Sequence, residues 1–251
     1  MKKCLFAMAA ATALLCGCAK NDHTITMITE SGFAPYEYFD GKQIEGVDVD
    51  ICRAIAAKLG KELVIRDAKF DAVIPSVIAG KADLAAAGIT ITEDRKQSVD
   101  FSIPYVTSGI VIISRTDEPV DSIEGTEDKV IGVQGGTTSD IYCVETLKRE
   151  PQRFDNPPIA VAALKAGKVD FVIADIDPAK NCVKGDASIA ITSDFLTKEE
   201  FAIAIKKGQP ELLATINEVI EELLAEGAIE ASKARHDENY AKIRGAEEAA
   251  E

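Results

Sequence analysis

Residues Phe70–Ser114 read FDAVIPSVIAGKADLAAAGITITEDRKQSVDFSIPYVTSGIVIIS. An apolar run, Ala82–Ala86, leads into Gly88-Ile-Thr-Ile-Thr-Glu-Asp-Arg95. Small residues and hydroxyls therefore stand at the end of a strand, and one arginine falls on the first turn of the helix that follows. Backbone N–H groups at a helix start and a planar guanidinium both suit a small carboxylate.

Outward from this stretch, strand-like and helix-like segments alternate. Ile25–Thr29 has the polarity of a short strand, and Val47–Leu59 that of an amphipathic helix ended by Gly60. Leu63–Ile65 is expected as a strand and Asp71–Ala79 as a helix capped by Asp71, with Pro75 inside its pattern. Val130–Val133 is a strand followed by Gln134-Gly-Gly-Thr-Thr138 and a helix to about Arg149. Val169–Ala174 is a strand ending at Asp175, and Phe201–Ile205 is another. Pro210–Glu226 is a helix with proline at its start, Gly227 after its end and apolar residues at helical spacing.

This alternation predicts an α/β protein of mainly parallel sheets covered by helices. Ligands then bind beyond the carboxyl ends of the strands. Gly88–Thr90, Gln134–Thr138 and Asp175 all follow strands at that position. Two lobes facing each other would bring these separated groups together.

The N-terminus carries a targeting pattern. Lys2 and Lys3 precede an apolar run, Leu5–Leu15, that is too short to span a bilayer. The order Leu15-Cys16-Gly17-Cys18 resembles a bacterial lipobox, which implies cleavage after Gly17 and lipidation, palmitate included, of Cys18. Residues 1–17 are the expected signal peptide and 18–23 the lipidated tether. Losing residues 1–17 removes two lysines and no acid, so 26 basic and 42 acidic residues remain, a net charge of −16. That balance argues against nucleic acid as a partner. The acidic segment 243–251 is expected to be disordered.

Cys52, Cys143 and Cys182 belong to the folded part. No cysteine or histidine cluster suggests a metal, and no cofactor is implied. Cys52 fits a buried small hydrophobe. Cys143 and Cys182 are the candidate pair for a disulfide outside the cytoplasm, which spacing leaves open. His23 and His236 lie near the two ends, which argues against a histidine-dependent catalytic centre.

Several motifs together resemble the polar amino-acid-binding proteins of ABC importers, solute-binding family 3. They are Phe33-Ala-Pro-Tyr-Glu37, Gly46-Val-Asp-Val-Asp50, Phe70-Asp-Ala-Val-Ile-Pro75, Gly88–Arg95, Val99-Asp-Phe-Ser102 and Gly132-Val-Gln-Gly-Gly-Thr-Thr138. The resemblance spans nearly all of residues 25–240. It implies the periplasmic-binding-protein type II fold, two α/β lobes with two crossings near Thr107–Ile110 and Phe201–Ile205. Lobe one is then 24–107 with 205–242, and lobe two 110–202.

The resemblance also implies site roles. Arg95 grips an α-carboxylate with help from Thr90, Thr137 and Thr138. Asp175 holds an α-ammonium beside Ala87 and the Gly88 carbonyl. Phe33 and Phe70 flank the ligand side chain, while Glu30 and Gln134 meet its far end. A neutral polar or cationic side chain fits Glu30 better than an acidic one. The implied protein is a lipid-anchored extracytoplasmic monomer and not an enzyme; it passes an L-amino acid to a membrane permease by hinge closure. The same fold also serves arogenate and prephenate dehydratases, in which Glu30 or Asp175 would act as general acid, and ligand-sensing partners of receptors.

Overall fold

A computed structural model describes residues 23–248; the expected signal segment, the tether up to residue 22 and Cys18 lie outside them. In chain order the first part comprises β1 (Thr24–Thr29), β2 (Gly32–Phe33), β3 (Glu37–Phe39), β4 (Ile44–Glu45), α1 (Val47–Lys58) and β5 (Glu62–Asp67). It continues with α2 (Phe70–Ile78), β6 (Leu84–Ala85), α3 (Glu93–Ser98), β7 (Val99–Phe101) and β8 (Val106–Ser108). The middle part comprises β9 (Ile110–Arg115), β10 (Ile131–Gln134), α4 (Thr138–Ile141), a π-helical turn at Tyr142–Thr146, β11 (Gln152–Phe154) and α5 (Pro157–Lys165). It continues with β12 (Phe171–Asp175), α6 (Ile176–Val183), β13 (Ile189–Ile191) and β14 (Glu199–Phe201). The chain closes with β15 (Ala204–Lys206), α7 (Pro210–Ala225) and α8 (Ala228–Glu248).

Two five-stranded sheets carry the fold. One has the order β5-β1-β6-β15-β7 and the other β11-β10-β12-β9-β13. In each sheet four strands run the same way, as the alternation implied, and one runs against them. The reason is the crossing of the chain. β9 enters the second sheet, and β15 returns to the first, from the opposite lobe, so each runs against its neighbours. Between the sheets β8 and β14 pair antiparallel as a two-stranded ribbon. The expected single strand Phe201–Ile205 is broken there, because β14 pairs with the ribbon and β15 with the first sheet. Ala202 and Ile203 switch partners, donating to the Ile89 carbonyl and to Ser102 Oγ.

Local signals explain most helix ends. α1 is C-capped by Leu59, followed by Gly60 at φ 65°, and α7 by Glu226, followed by Gly227 at φ 66°. α2 begins one residue before the expectation. Lys69 is its N-cap and makes no side-chain cap bond, so Asp71 lies inside the first turn, where its charge meets the helix dipole. The helix expected to reach Arg149 gives way to the π-helical turn and closes with Lys148 at φ 56°. Residues 243–248, expected to be disordered, continue α8.

Buried Cys52 packs into the core beneath the first sheet, as its pattern implied. Cys143 and Cys182 are free thiols. Side-chain alternation along β9 and β12 divides the second lobe into two cores on opposite faces of its sheet. Cys143 lies among Ile110, Ile112, Phe171 and Ile173, and Cys182 among Val111, Ile113, Val172 and Ala174. A sheet therefore stands between the two sulfurs, which corrects the expected pairing.

Candidate ligand cleft

Four strand ends converge between the two sheets. β1 delivers Glu30, the residues after β6 deliver Ala87, Gly88 and Thr90, β10 ends on Gln134, and β12 ends on Asp175. The cleft thus forms where parallel strands finish, as the sequence pattern required.

Arg95 sits on α3, whose N-cap Thr92 accepts from the Arg95 amide. Its half-buried guanidinium is held from both sides. Nη1 donates to the Thr90 carbonyl at 2.7 Å, and Nη2 donates across the cleft to the Gly136 carbonyl at 3.2 Å. The Phe70 ring backs it, with the guanidinium carbon 5.5 Å from the ring centroid. Burial lowers the Arg95 pKa from its usual value, opposed by the fields of Glu199 and Asp175. Among the described residues Arg95 makes no ion pair.

Asp175 is buried and occupies the N-cap position of α6, yet its carboxylate makes no cap hydrogen bond. It accepts from Ser108 Oγ at 3.5 Å. Burial, with the nearby Glu199 and Asp177 charges, pushes its pKa well above the ordinary carboxylate range. A cation beside it would be needed to offset the cost of ionising there.

Gly88 explains itself by its surroundings. At φ 53°, with a Cβ placed 2.4 Å from Phe33 Cε1, no other residue fits without displacing that ring. Its amide donates to Asp48 Oδ2 at 2.9 Å, while the Tyr105 hydroxyl donates to Asp48 Oδ1 at 2.6 Å. Burial pushes the Asp48 carboxyl up to about 6, and lifts the Glu37 carboxyl facing it well above its ordinary value. Gly88→Ala is expected to lower stability by about 1–3 kcal/mol through overpacking and backbone strain. A thermal melt measures this; an unchanged melting temperature would refute the steric argument.

At the far end of the cleft Gln134 Nε2 donates to Glu30 Oε2 at 3.2 Å and to the Asp155 carbonyl at 3.1 Å. Burial pushes the Glu30 carboxyl up to about 7, with Asp67 adding to the rise and Gln134 and Asn156 opposing it. Phe33 is mostly a core residue of the first lobe, stacked among Tyr36 and Phe201 at centroid distances of 5.8 and 6.1 Å. Thr137 caps α4: its Oγ1 accepts from the Asp140 amide and donates to the Gln134 carbonyl at 2.8 Å. Thr138 is the first residue of that helix.

Direct contacts link Arg95 with Thr90, Gly136 and Phe70, and Gln134 with Glu30 and Thr137. The structure adds Asp48, Ser108, Asn156 and the Gly136 carbonyl. Asp48 lay within the Gly46–Asp50 motif and Gly136 within Gly132–Thr138. Asn156 precedes two prolines, a helix-start signal, and does cap α5. Ser108 carries no sequence signal.

Residues 25–236 match the bacterial extracellular solute-binding proteins, family 3. The chain belongs to that family. A probable histidine-binding protein of Neisseria gonorrhoeae is 31% identical over 218 residues, covering 84% of this chain and 79% of that protein. An amino acid ABC transporter substrate-binding protein of Streptococcus pneumoniae, solved bound to L-arginine, is 30% identical with a TM-score of 0.81, covering 87% of this chain and 96% of that one. The arginine-bound form of a truncated ArgBP from T. maritima is 38% identical with a TM-score of 0.75, covering 80% and 96%. The two-lobed architecture of this solute-binding protein is therefore that of solved substrate-binding proteins. Among its described residues no helix is long and apolar enough to cross a membrane.

Proposed function

We propose that this solute-binding protein binds a cationic L-α-amino acid, arginine foremost, and delivers it to an ABC importer. One observation carries the reading: the cleft holds a guanidinium hydrogen-bonded to two carbonyls and, near it, a buried carboxyl that accepts from Ser108, and no ion pair joins the two among the described residues. The guanidinium has no anion beside it and burial keeps the carboxyl protonated until a cation arrives, and an α-amino acid brings the complement of both in one small zwitterion. Glu30 supplies a negative group at the far end, and Phe70 an aromatic wall. Two relatives solved with arginine support that choice of side chain.

Binding and release follow from a hinge at the two crossings. The lobes are taken as 24–107 with 205–242, and 110–202; the β8–β14 ribbon is the bend. Arg95 and Thr90 capture the carboxylate on lobe one, and Asp175 with the Gln134–Thr138 turn swings in from lobe two. The ligand favours closure only through the contacts it makes across both lobes. Nothing in this account requires chemistry on the ligand, so the protein acts as a carrier and not as an enzyme. Cys18 is the proposed lipid anchor that keeps it beside its permease. A thermal-shift screen against the twenty amino acids tests the reading. Stabilisation by arginine and other cationic amino acids is expected; a response confined to acidic ones would overturn it.

Glu30 gives the reading a pH signature. With its carboxyl near 7, a bound cation favours the ionised form and expels the proton. Affinity for arginine is therefore expected to rise with pH through 7, with net proton release at neutral pH. Calorimetry in buffers of differing ionisation enthalpy measures that release, and Glu30→Gln should reduce it, leaving the proton that Asp175 gives up as the ammonium binds. Equal heats in all buffers would exclude Glu30 as a ligand contact.

A further inference from the structure

Helix α8 was expected to belong to lobe one, but its partners come from both lobes. Its first half is anchored on lobe one. Ile229 enters that core, Ser232 Oγ donates to Asp50 Oδ2 at 2.5 Å, and Arg235 pairs with the same carboxylate. His236 lies between Asp50 Oδ2 and the Tyr38 hydroxyl, at 2.9 Å from each. From this fixed base α8 reaches α6 of lobe two. Lys233 Nζ stands 2.6 Å from Asp177 Oδ2. Asp237 Oδ1 accepts from Asn181 Nδ2 at 3.0 Å. Arg244 Nη1 donates to the carbonyls of Asn181 and Cys182 at 3.1 and 3.3 Å.

The same face of α6 touches lobe one a second time. The Tyr36 hydroxyl donates to Asp177 Oδ2 at 2.7 Å, and Asn181 Nδ2 also donates to the Ala34 carbonyl at 3.2 Å. Asp177 follows Asp175 by two residues on the element that bears the ammonium site. Its side chain is 6% exposed and that of Lys233 is 23% exposed. An ion pair enclosed to that degree is screened far less than one on open surface.

We propose that α8 is a latch across the lobes, in which Lys233 and Asp177 set ligand affinity without touching the ligand. This rests on the hinge-closure reading. Opening that draws α6 away from Tyr36 must also break the Lys233–Asp177 pair and the Asp237 and Arg244 contacts, because His236 and Ser232 hold α8 to lobe one. The latch therefore adds to the stability of the closed arrangement. A ligand that binds across both lobes gains that contribution as slower release.

The test compares the wild type with Lys233→Gln and Lys233→Arg by stopped-flow release of L-arginine and by hydrogen exchange without ligand. Lys233→Gln should speed release about tenfold with little change in association, and Lys233→Arg should restore slow release. Exchange should quicken at residues 34–38 and across α6, with α1 and α7 unchanged. Unchanged release and exchange in Lys233→Gln would overturn the latch, as would exchange quickened throughout α1 and α7, which marks a purely structural lysine. If L-arginine binds neither protein while residues 34–38 and α6 still loosen, the ligand assignment falls and the latch stands.

Discussion

Arg95→Ala is expected to abolish amino-acid binding while the protein stays folded. On lobe one the guanidinium is positioned by the Thr90 carbonyl and the Phe70 ring, so it is in place before lobe two closes. Little ordering entropy then opposes its bond to a carboxylate. Truncating one side of a desolvated charge pair costs about 2–5 kcal/mol, a loss of roughly thirtyfold to several thousandfold in affinity. Arg95→Lys should recover only part of it, since an ammonium lacks the planar fork for two parallel hydrogen bonds. Calorimetric titration beside a thermal melt reads both quantities. Affinity within twofold of wild type would remove Arg95 from the anion site.

Asp175→Asn should move binding and stability in opposite directions. Ligand affinity should fall by about 2–4 kcal/mol, because the neutral amide no longer attracts an ammonium. The ligand-free protein should become more stable at neutral pH. The sign follows from the raised pKa: the native state keeps the Asp175 proton after the unfolded chain has lost its own. The wild type's advantage is thus whole below the unfolded pKa, near 3.9, and is lost as pH rises toward the folded value. An amide carries no such loss. Melting curves from pH 4 to 8 with and without ligand test the pair of effects. A variant that binds normally, or one destabilised at every pH, would count against Asp175 as the ammonium site.

Much of the cleft was legible because its chemistry is written in short motifs. In Gly88–Arg95 the sequence puts small residues and hydroxyls after a strand and one arginine on the first turn of a helix, and Arg95 stands there, on α3. The helix from Pro210 is equally plain, since proline, apolar spacing and Gly227 agree. What stayed hidden depends on tertiary partners. The break between β14 and β15 arises because consecutive residues pair with different sheets. The separation of Cys143 from Cys182 arises from which face of one sheet each helix covers. α8 is mostly polar and offers no strong apolar stripe, and beyond Ile229 its order rests on Asp50, Tyr38, Asp177 and Asn181, residues far away in the chain. Its acidic end therefore looked like a loose tail. Asp71 looked like a cap because its type suits one, but Lys69 holds the N-cap position without a side-chain bond and the helix starts at Phe70.

The central claim is that Arg95 and Asp175 together hold the α-carboxylate and α-ammonium of one ligand. Calorimetric titration of the protein, stripped of co-purified ligand, with L-arginine and with agmatine, its decarboxylated counterpart, tests it most directly. The account predicts that L-arginine binds at about micromolar affinity or tighter, roughly −8 kcal/mol or more favourable, and that agmatine binds at least a hundredfold more weakly. Equal affinity for the two, or no binding of either, would contradict it.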